Sequence, residues 1–270
     1  MNLLTCILTE NDCYKENQTI TPKGVMVHST GADNPNIKRY VQPLAGDADY
    51  AALLAALGTT GEQRDWNRAG TGACVHAFIG RLADGTVAAA QTLPWNWRGW
   101  HAGTGTSGQS ANNTHISFEI CEDGLTDEAY FGQVYREAVE LTAMLCRQYG
   151  LDPLADGVVI CHQEGYRRGV ASNHADVLHW FPKMGKSMDD FRSDVAAELA
   201  PKPGAEPGSE PEKEDGMNYY QTLDQVPEFY RPAVEKLVEA GALKGTGAGL
   251  NVSEDLCRIV TMLDLMGKLD

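Results

Sequence analysis

The sequence predicts an α/β protein: a central mixed β-sheet flanked by helices, followed by a small, mainly helical C-terminal module. Three observations predict it. Short β-branched apolar runs occur at 24–29 and 158–160, and a hairpin signal, Asp84-Gly85, separates two further runs. One long stretch, 127–149, repeats its apolar residues at intervals of three and four. A segment rich in Pro, Gly and acids, 201–216, has almost nothing apolar to bury and reads as an extended, disordered linker between two bodies.

In chain order, 24–29 lies between Pro22 and the turn residues Gly31 to Pro35, so it reads as a buried strand with His28 near its exit. A single His in that position is more often a hydrogen-bonded structural residue than a ligand. Residues 47–57 are rich in Ala and Leu and helical in character, and Gly58 ends them. Residues 74–80 and 86–93 flank the Asp84-Gly85 turn, which needs positive φ, and read as paired strands with His76 on the first. The following loop carries Trp95, Trp97, Trp100 and His101; such a cluster either packs a core edge or forms a wall that contacts sugar and peptide. Residues 103–113 are Gly, Ser, Thr and Asn almost throughout, a surface loop able to approach a ligand closely.

The stretch 115–121 alternates, with Ile116, Phe118 and Ile120 on one face and His115, Ser117, Glu119 and Cys121 on the other. The helix 127–149 starts at Asp127-Glu128, is closed by Gly150, and has an apolar face made for packing on the sheet. The run 158–160 delivers His162 just past its end. A loop interrupted by Gly then carries His174 and Asp176 toward Trp180-Phe181. His162 and Asp176 are fourteen positions apart, so no single helix or strand can hold both at one point. Zinc would give the loop a reason to fold back, because catalytic zinc sites use three ligands of the His and carboxylate kind and leave one position for water. His179 is a rival ligand in the same segment, while Glu164, Arg167 and Arg168 read as solvated or salt-bridged. Residues 188–199 form a closing helix.

A chain of 270 residues can hold one sizeable domain and a small one, and a domain of about 200 residues buries about 70% of its extended surface. A net charge of −15 argues against nucleic acid as a partner, since phosphate binding needs a clustered basic surface. The seven cysteines are odd in number, scattered and without a Cys-x-x-Cys pair, so they read as reduced, buried small hydrophobes. The first residues lack the basic and apolar regions of an export signal, and no window is long and apolar enough for a membrane span.

Taken together, Gly24-Val-Met-Val-His28-Ser, Trp100-His101-Ala102-Gly103, Ile116-Ser117-Phe118-Glu119, His162 and Asp176 resemble, in order, the motifs of a known family. It is the zinc-dependent N-acetylmuramoyl-L-alanine amidases of the type 2 amidase and peptidoglycan-recognition-protein superfamily, especially prophage endolysins. The resemblance covers residues 21–194. It implies hydrolysis of the amide between N-acetylmuramic acid and L-alanine in peptidoglycan, with Zn²⁺ held by His28, His162 and Asp176. It further implies Glu119 as the catalytic group that takes a proton from water, His174 as a donor to the oxyanion, and a substrate groove contacted by Trp100, His101, His76 and Asn113. One departure stands out: many members carry Lys two residues before the third ligand, where this chain has His174. Such a lysin is expected to be made in the cytoplasm and to reach the wall after holin-type release. Two other readings stay open. A recognition module could bind peptidoglycan without cutting it, although non-catalytic relatives lack the third ligand that Asp176 matches here; or a different zinc hydrolase could act on wall peptides.

In the C-terminal module, 217–270, Val234, Leu237 and Val238 fit a helix that Pro232 starts and Gly241 ends. Leu256, Ile259, Val260 and Leu263 fit a second helix capped by Ser253. The segment Val226 to Gly241 resembles half of an S-layer-homology-like module. So small a core is marginal without disulfides, and self-association or docking on a wall polymer would stabilise it.

Overall fold

The structure, a computed structural model, describes residues 1–61, 64–200, 219–243 and 249–269. The chain divides into two compact units, Met1–Ala200 and Pro201–Asp270. The expected linker at 201–216 lies outside the described residues.

In chain order the first unit contains β1 (Leu3–Thr5), α1 (Asp12–Glu16), β2 (Gly24–Ser29), α2 (Tyr50–Leu57), β3 (Ala77–Arg81), β4 (Val87–Gln91), β5 (His115–Ile120), α3 (Glu128–Tyr149), β6 (Val159–Cys161), α4 (His162–Arg167) and α5 (Met188–Leu199). The six strands form one mixed sheet in the order β1-β4-β3-β5-β2-β6. Within it β3 and β4 are antiparallel, and the other neighbours are parallel. Gly85, at φ +86°, makes the turn between β3 and β4, and Thr86 donates to the Asp84 carboxylate from both its N–H and its hydroxyl.

Helix α3 covers one face of the sheet. Asp127 accepts from the Tyr130 N–H at 3.0 Å to start it, and Gly150 in the left-handed region ends it. Its inward side chains Val134, Ala138, Leu141 and Leu145 pack with Val25, Val27, Ile116, Phe118 and Ile120, the face that alternation assigns to the core. Phe191 of α5 closes this core against Tyr135 and Phe181. It is wholly buried, so Phe191→Ala is expected to destabilise the unit by about 3–5 kcal/mol in a denaturant titration. A loss under 1 kcal/mol would mean that α5 is only loosely docked.

Some expectations shift for physical reasons. The strand expected from Cys74 begins at Ala77, because Cys74 pairs through its N–H and carbonyl with Trp100, at 3.0 Å each, and leaves the β4 ladder. The segment after His162, expected as loop, opens with α4. Glu164 accepts from the Cys161 N–H at 3.0 Å and is held in turn by Arg192 at 3.0 and 3.1 Å. The edge strand β1 and helix α1 carry no pattern that announces them.

The parallel run of β5, β2 and β6 positions the site. Their carboxyl ends emerge on one edge of the sheet, where open α/β proteins bind ligands. His28 lies near the end of β2, directly opposite Glu119 of β5, and His162 follows β6.

The second unit contains a two-residue ladder of β7 (Tyr219–Tyr220) with β8 (Val252–Ser253), and the helices α6 (Arg231–Glu239) and α7 (Glu254–Leu265). Ser253 caps α7 by accepting from the Leu256 N–H at 3.2 Å. Val226, Val234, Val252, Cys257 and Val260 form its core, whereas Phe229, Ile259, Met262, Leu265 and Met266 are exposed.

Candidate active site

Two strand ends and one returning loop bring together the three metal donors expected from the sequence. His28 Nδ1 lies 3.1 Å from Asp176 Oδ2 and 3.1 Å from His162 Nδ1, and His162 Nδ1 lies 3.4 Å from the same carboxylate oxygen. All three ligand atoms fall within 4.8 Å of one another. Both imidazoles are almost fully buried, while Asp176 keeps an opening to solvent. Burial alone would raise the Asp176 carboxyl, but hydrogen bonds from His162 and His28 and their charge hold it well below the usual carboxylate range. Burial also lowers the pKa of His28, which favours the neutral imidazole that a metal needs. Two imidazole nitrogens and one carboxylate oxygen converging in this way match the donor set of a catalytic zinc site in number and chemistry.

The loop that carries Asp176 is folded back by packing against the loop after Trp100. Ser172 donates its N–H to the Ala102 carbonyl at 2.8 Å, and Ser107 donates to the Gly169 carbonyl from its N–H at 3.0 Å and its hydroxyl at 2.6 Å. Gly105 runs so close to the Gly169 carbonyl that a Cβ there would overlap it. His179 takes no part in the cluster: its Nε2 faces the buried Glu122 carboxylate at 2.8 Å.

Glu119 is partly covered, and its Oε2 is sealed from solvent without a hydrogen-bond partner. Burial first, then the charges of Asp176 and Glu122, raise its carboxyl well above the ordinary glutamate value. A carboxyl shifted in this way favours its protonated form. His174 is exposed, with Nδ1 at 3.1 Å from the Ser172 hydroxyl.

The residues expected to line the groove divide. Trp100 is 42% exposed with the Arg98 guanidinium 5.2 Å from its ring centroid, and Asn113, also exposed, accepts from Arg98 Nε at 2.7 Å. Trp97, by contrast, packs against Tyr14, and Trp95 against the core of α3, so two rings of the Trp cluster face inward and Trp100 is left exposed. His76 does not fit the expectation of a substrate contact, because it is wholly buried with both nitrogens engaged. The Ser117 N–H donates to Nδ1 at 3.0 Å, which leaves the proton on Nε2 to donate to the Trp97 carbonyl at 2.7 Å. Burial brings its pKa down to about 4, so it is a neutral strut under the Trp loop. His101 is only partly covered, and its Nδ1 faces His28 rather than open solvent. Ser172 had no signal in the sequence beyond standing two residues before His174, yet it touches both His162 and His174.

Fold and site define the class: an α/β protein in which, among the described residues, two His at the carboxyl ends of parallel strands and one Asp of a returning loop form a metal-competent cluster. The profile of the N-acetylmuramoyl-L-alanine amidase family matches residues 18–178. The chain belongs to this family and is a peptidoglycan amidase. Among solved structures it is similar to the Staphylococcus aureus hydrolase AmiA in complex with its ligand, at 19% identity and a TM-score of 0.50, over 74% of this chain and 83% of that one. At that identity the likeness speaks to the fold. It is also similar to the E90A mutant of PlyL, at 19% identity and a TM-score of 0.47 over 73% and 99%. A mutant endolysin from Bacillus subtilis follows at 20% identity and a TM-score of 0.44 over 72% and 99%. No curated protein matches the chain.

Proposed function

We propose that the chain is a zinc-dependent N-acetylmuramoyl-L-alanine amidase of the phage endolysin type, with His28, His162 and Asp176 as the metal ligands. The observation that carries this reading is the convergence of His28 Nδ1, His162 Nδ1 and Asp176 Oδ2 at an open edge of the sheet. Zinc in that position supplies polarisation of the amide carbonyl and eases deprotonation of the attacking water. Glu119 takes the proton of that water and passes it to the L-alanine nitrogen as that amine leaves the muramoyl carbonyl. His174, exposed at the rim, hydrogen-bonds the developing oxyanion in place of the Lys common at this position. Trp100, with Arg98 and Asn113, forms the wall on which glycan and stem peptide rest. The endolysin assignment rests on the resemblance of the motifs to prophage lysins; it carries with it release from the cytoplasm to the wall through a holin-type opening. Exposed Phe229, Ile259, Met262, Leu265 and Met266 give the C-terminal module an apolar surface suited to self-association or to a wall polymer.

Removing the metal tests the reading. Treatment with a strong chelator is expected to abolish release of stem peptides, and one equivalent of zinc to restore it. Activity that survives complete chelation would overturn the assignment.

A further inference from the structure

Each candidate metal imidazole presents Nδ1 to the cluster, which leaves its Nε2 to be accounted for. Neither Nε2 is free. His28 Nε2 lies 3.1 Å from His101 Nδ1, and His162 Nε2 lies 3.2 Å from the Ser172 hydroxyl. An imidazole that gives the Nδ1 lone pair to a metal keeps its proton on Nε2 and must donate from there. His28 can therefore donate only if His101 accepts at Nδ1, which requires the neutral His101 tautomer protonated on Nε2, a nitrogen that is sealed from solvent without a partner. His162 likewise donates to the Ser172 oxygen, and the Ser172 hydrogen is left for His174 Nδ1 at 3.1 Å or the Ala102 carbonyl at 3.3 Å.

Both outer groups hang on one strip of chain. Asn112, wholly buried, accepts from the N–H of His101 and of Ala102, at 2.8 Å each, and donates to the Gly103 carbonyl at 3.1 Å. The Ala102 carbonyl in turn accepts the Ser172 N–H at 2.8 Å. The far end of the strip is clamped by the backbone pair of Trp100 with Cys74. One rigid segment thus sets the position of a partner for each metal-competent imidazole.

We propose that His101 and Ser172 are positioning residues that hold His28 and His162 by their outer nitrogens, and that segment 101–103, locked by Asn112, is their common brace. The inference rests on the metal reading given above and assigns His101 a role other than the substrate contact that the family resemblance implies. Outer partners of ligand histidines fix ring orientation and tautomer, and losing one weakens metal binding by about 10–100-fold. The partners here are a neutral imidazole and a hydroxyl, so Asp176 supplies the negative charge of the ligand set and the ring orientation rests on neutral hydrogen bonds.

The test is zinc affinity of the full chain without substrate, measured by competition with a chromophoric chelator. His101→Ala and Ser172→Ala are each expected to bind zinc about 10–100-fold more weakly than the unchanged chain. His101→Asn, whose amide oxygen takes the place of Nδ1, and Ser172→Thr should bind within a few-fold of it. A group that only touches substrate would lower turnover or raise KM and leave this affinity alone. Ala variants that lose activity but bind zinc as the unchanged chain does would overturn the proposal. Ser172 lies on a part-exposed loop, so Ser172→Ala decides the matter if His101→Ala does not fold. An unchanged chain that takes up no zinc would overturn instead the metal assignment beneath the proposal.

Discussion

Replacing His28, His162 or Asp176 by Ala is expected to leave a folded chain that retains no zinc and releases no stem peptide. Three protein ligands are the minimum of a catalytic zinc site, and two cannot hold the ion against dilution. The loss should be near total in all three variants, because the ligand removed is one of only three the site offers among the described residues. His179, the rival ligand named from the sequence, is committed to the buried Glu122 carboxylate at 2.8 Å. Full zinc content in Asp176→Ala, measured by metal analysis after gel filtration, would show that the third ligand is misassigned.

The second large effect is expected at Glu119. Glu119→Gln should keep its zinc and lose turnover by about 10²-fold or more, since it removes a general base from an intact site. The same substitution should stabilise the metal-free chain. The folded-state pKa of Glu119 is raised by burial and by the charges of Asp176 and Glu122, so folding favours the protonated form. The penalty is absent at acid pH and grows as pH rises through the unfolded value of about 4.3. Gln carries no such penalty, so its gain in melting temperature should be larger at pH 7 than at pH 4. Near-normal activity, or a gain that does not depend on pH, would reduce Glu119 to an ordinary strand residue.

What could be read from the sequence was what local pattern controls. The apolar runs of β2 and β6, the alternation of β5 and the three-four repeat of α3 each reflect one buried face, and a buried face writes itself into nearest neighbours. The cap residues Asp127 and Gly150 and the turn at Gly85 did so too, because the conformations they need exclude most other side chains. What could not be read depends on distant contacts. Strand β1 is three residues long and is held by pairing with Ala89, Ala90 and Gln91, far along the chain. Helix α4 owes its start to Glu164, whose carboxylate is fixed by Arg192 of another helix.

The site shows the same division. His28, Glu119, His162 and Asp176 stand in motifs that a resemblance can match, and the structure brings the two His and the Asp to one point. The parts of His76, His101 and Ser172 were not legible, because a hydrogen-bond partner on another loop decides whether a histidine is a wall, a strut or a brace. His76 lost its surface to the Trp97 carbonyl and Ser117, and His101 turned its Nδ1 to His28. The Trp loop was open to two readings for a related reason: only the fold could send Trp95 and Trp97 inward and leave Trp100 out.

The central claim, hydrolysis of the muramoyl amide, is tested most directly by mass spectrometry of purified peptidoglycan after digestion by the full chain. The account predicts stem peptides with a free L-alanine amino terminus and glycan strands whose N-acetylmuramic acid carries a free carboxyl, with no new reducing ends. New reducing termini, or cuts within the stem peptide that leave the muramoyl amide intact, would contradict it.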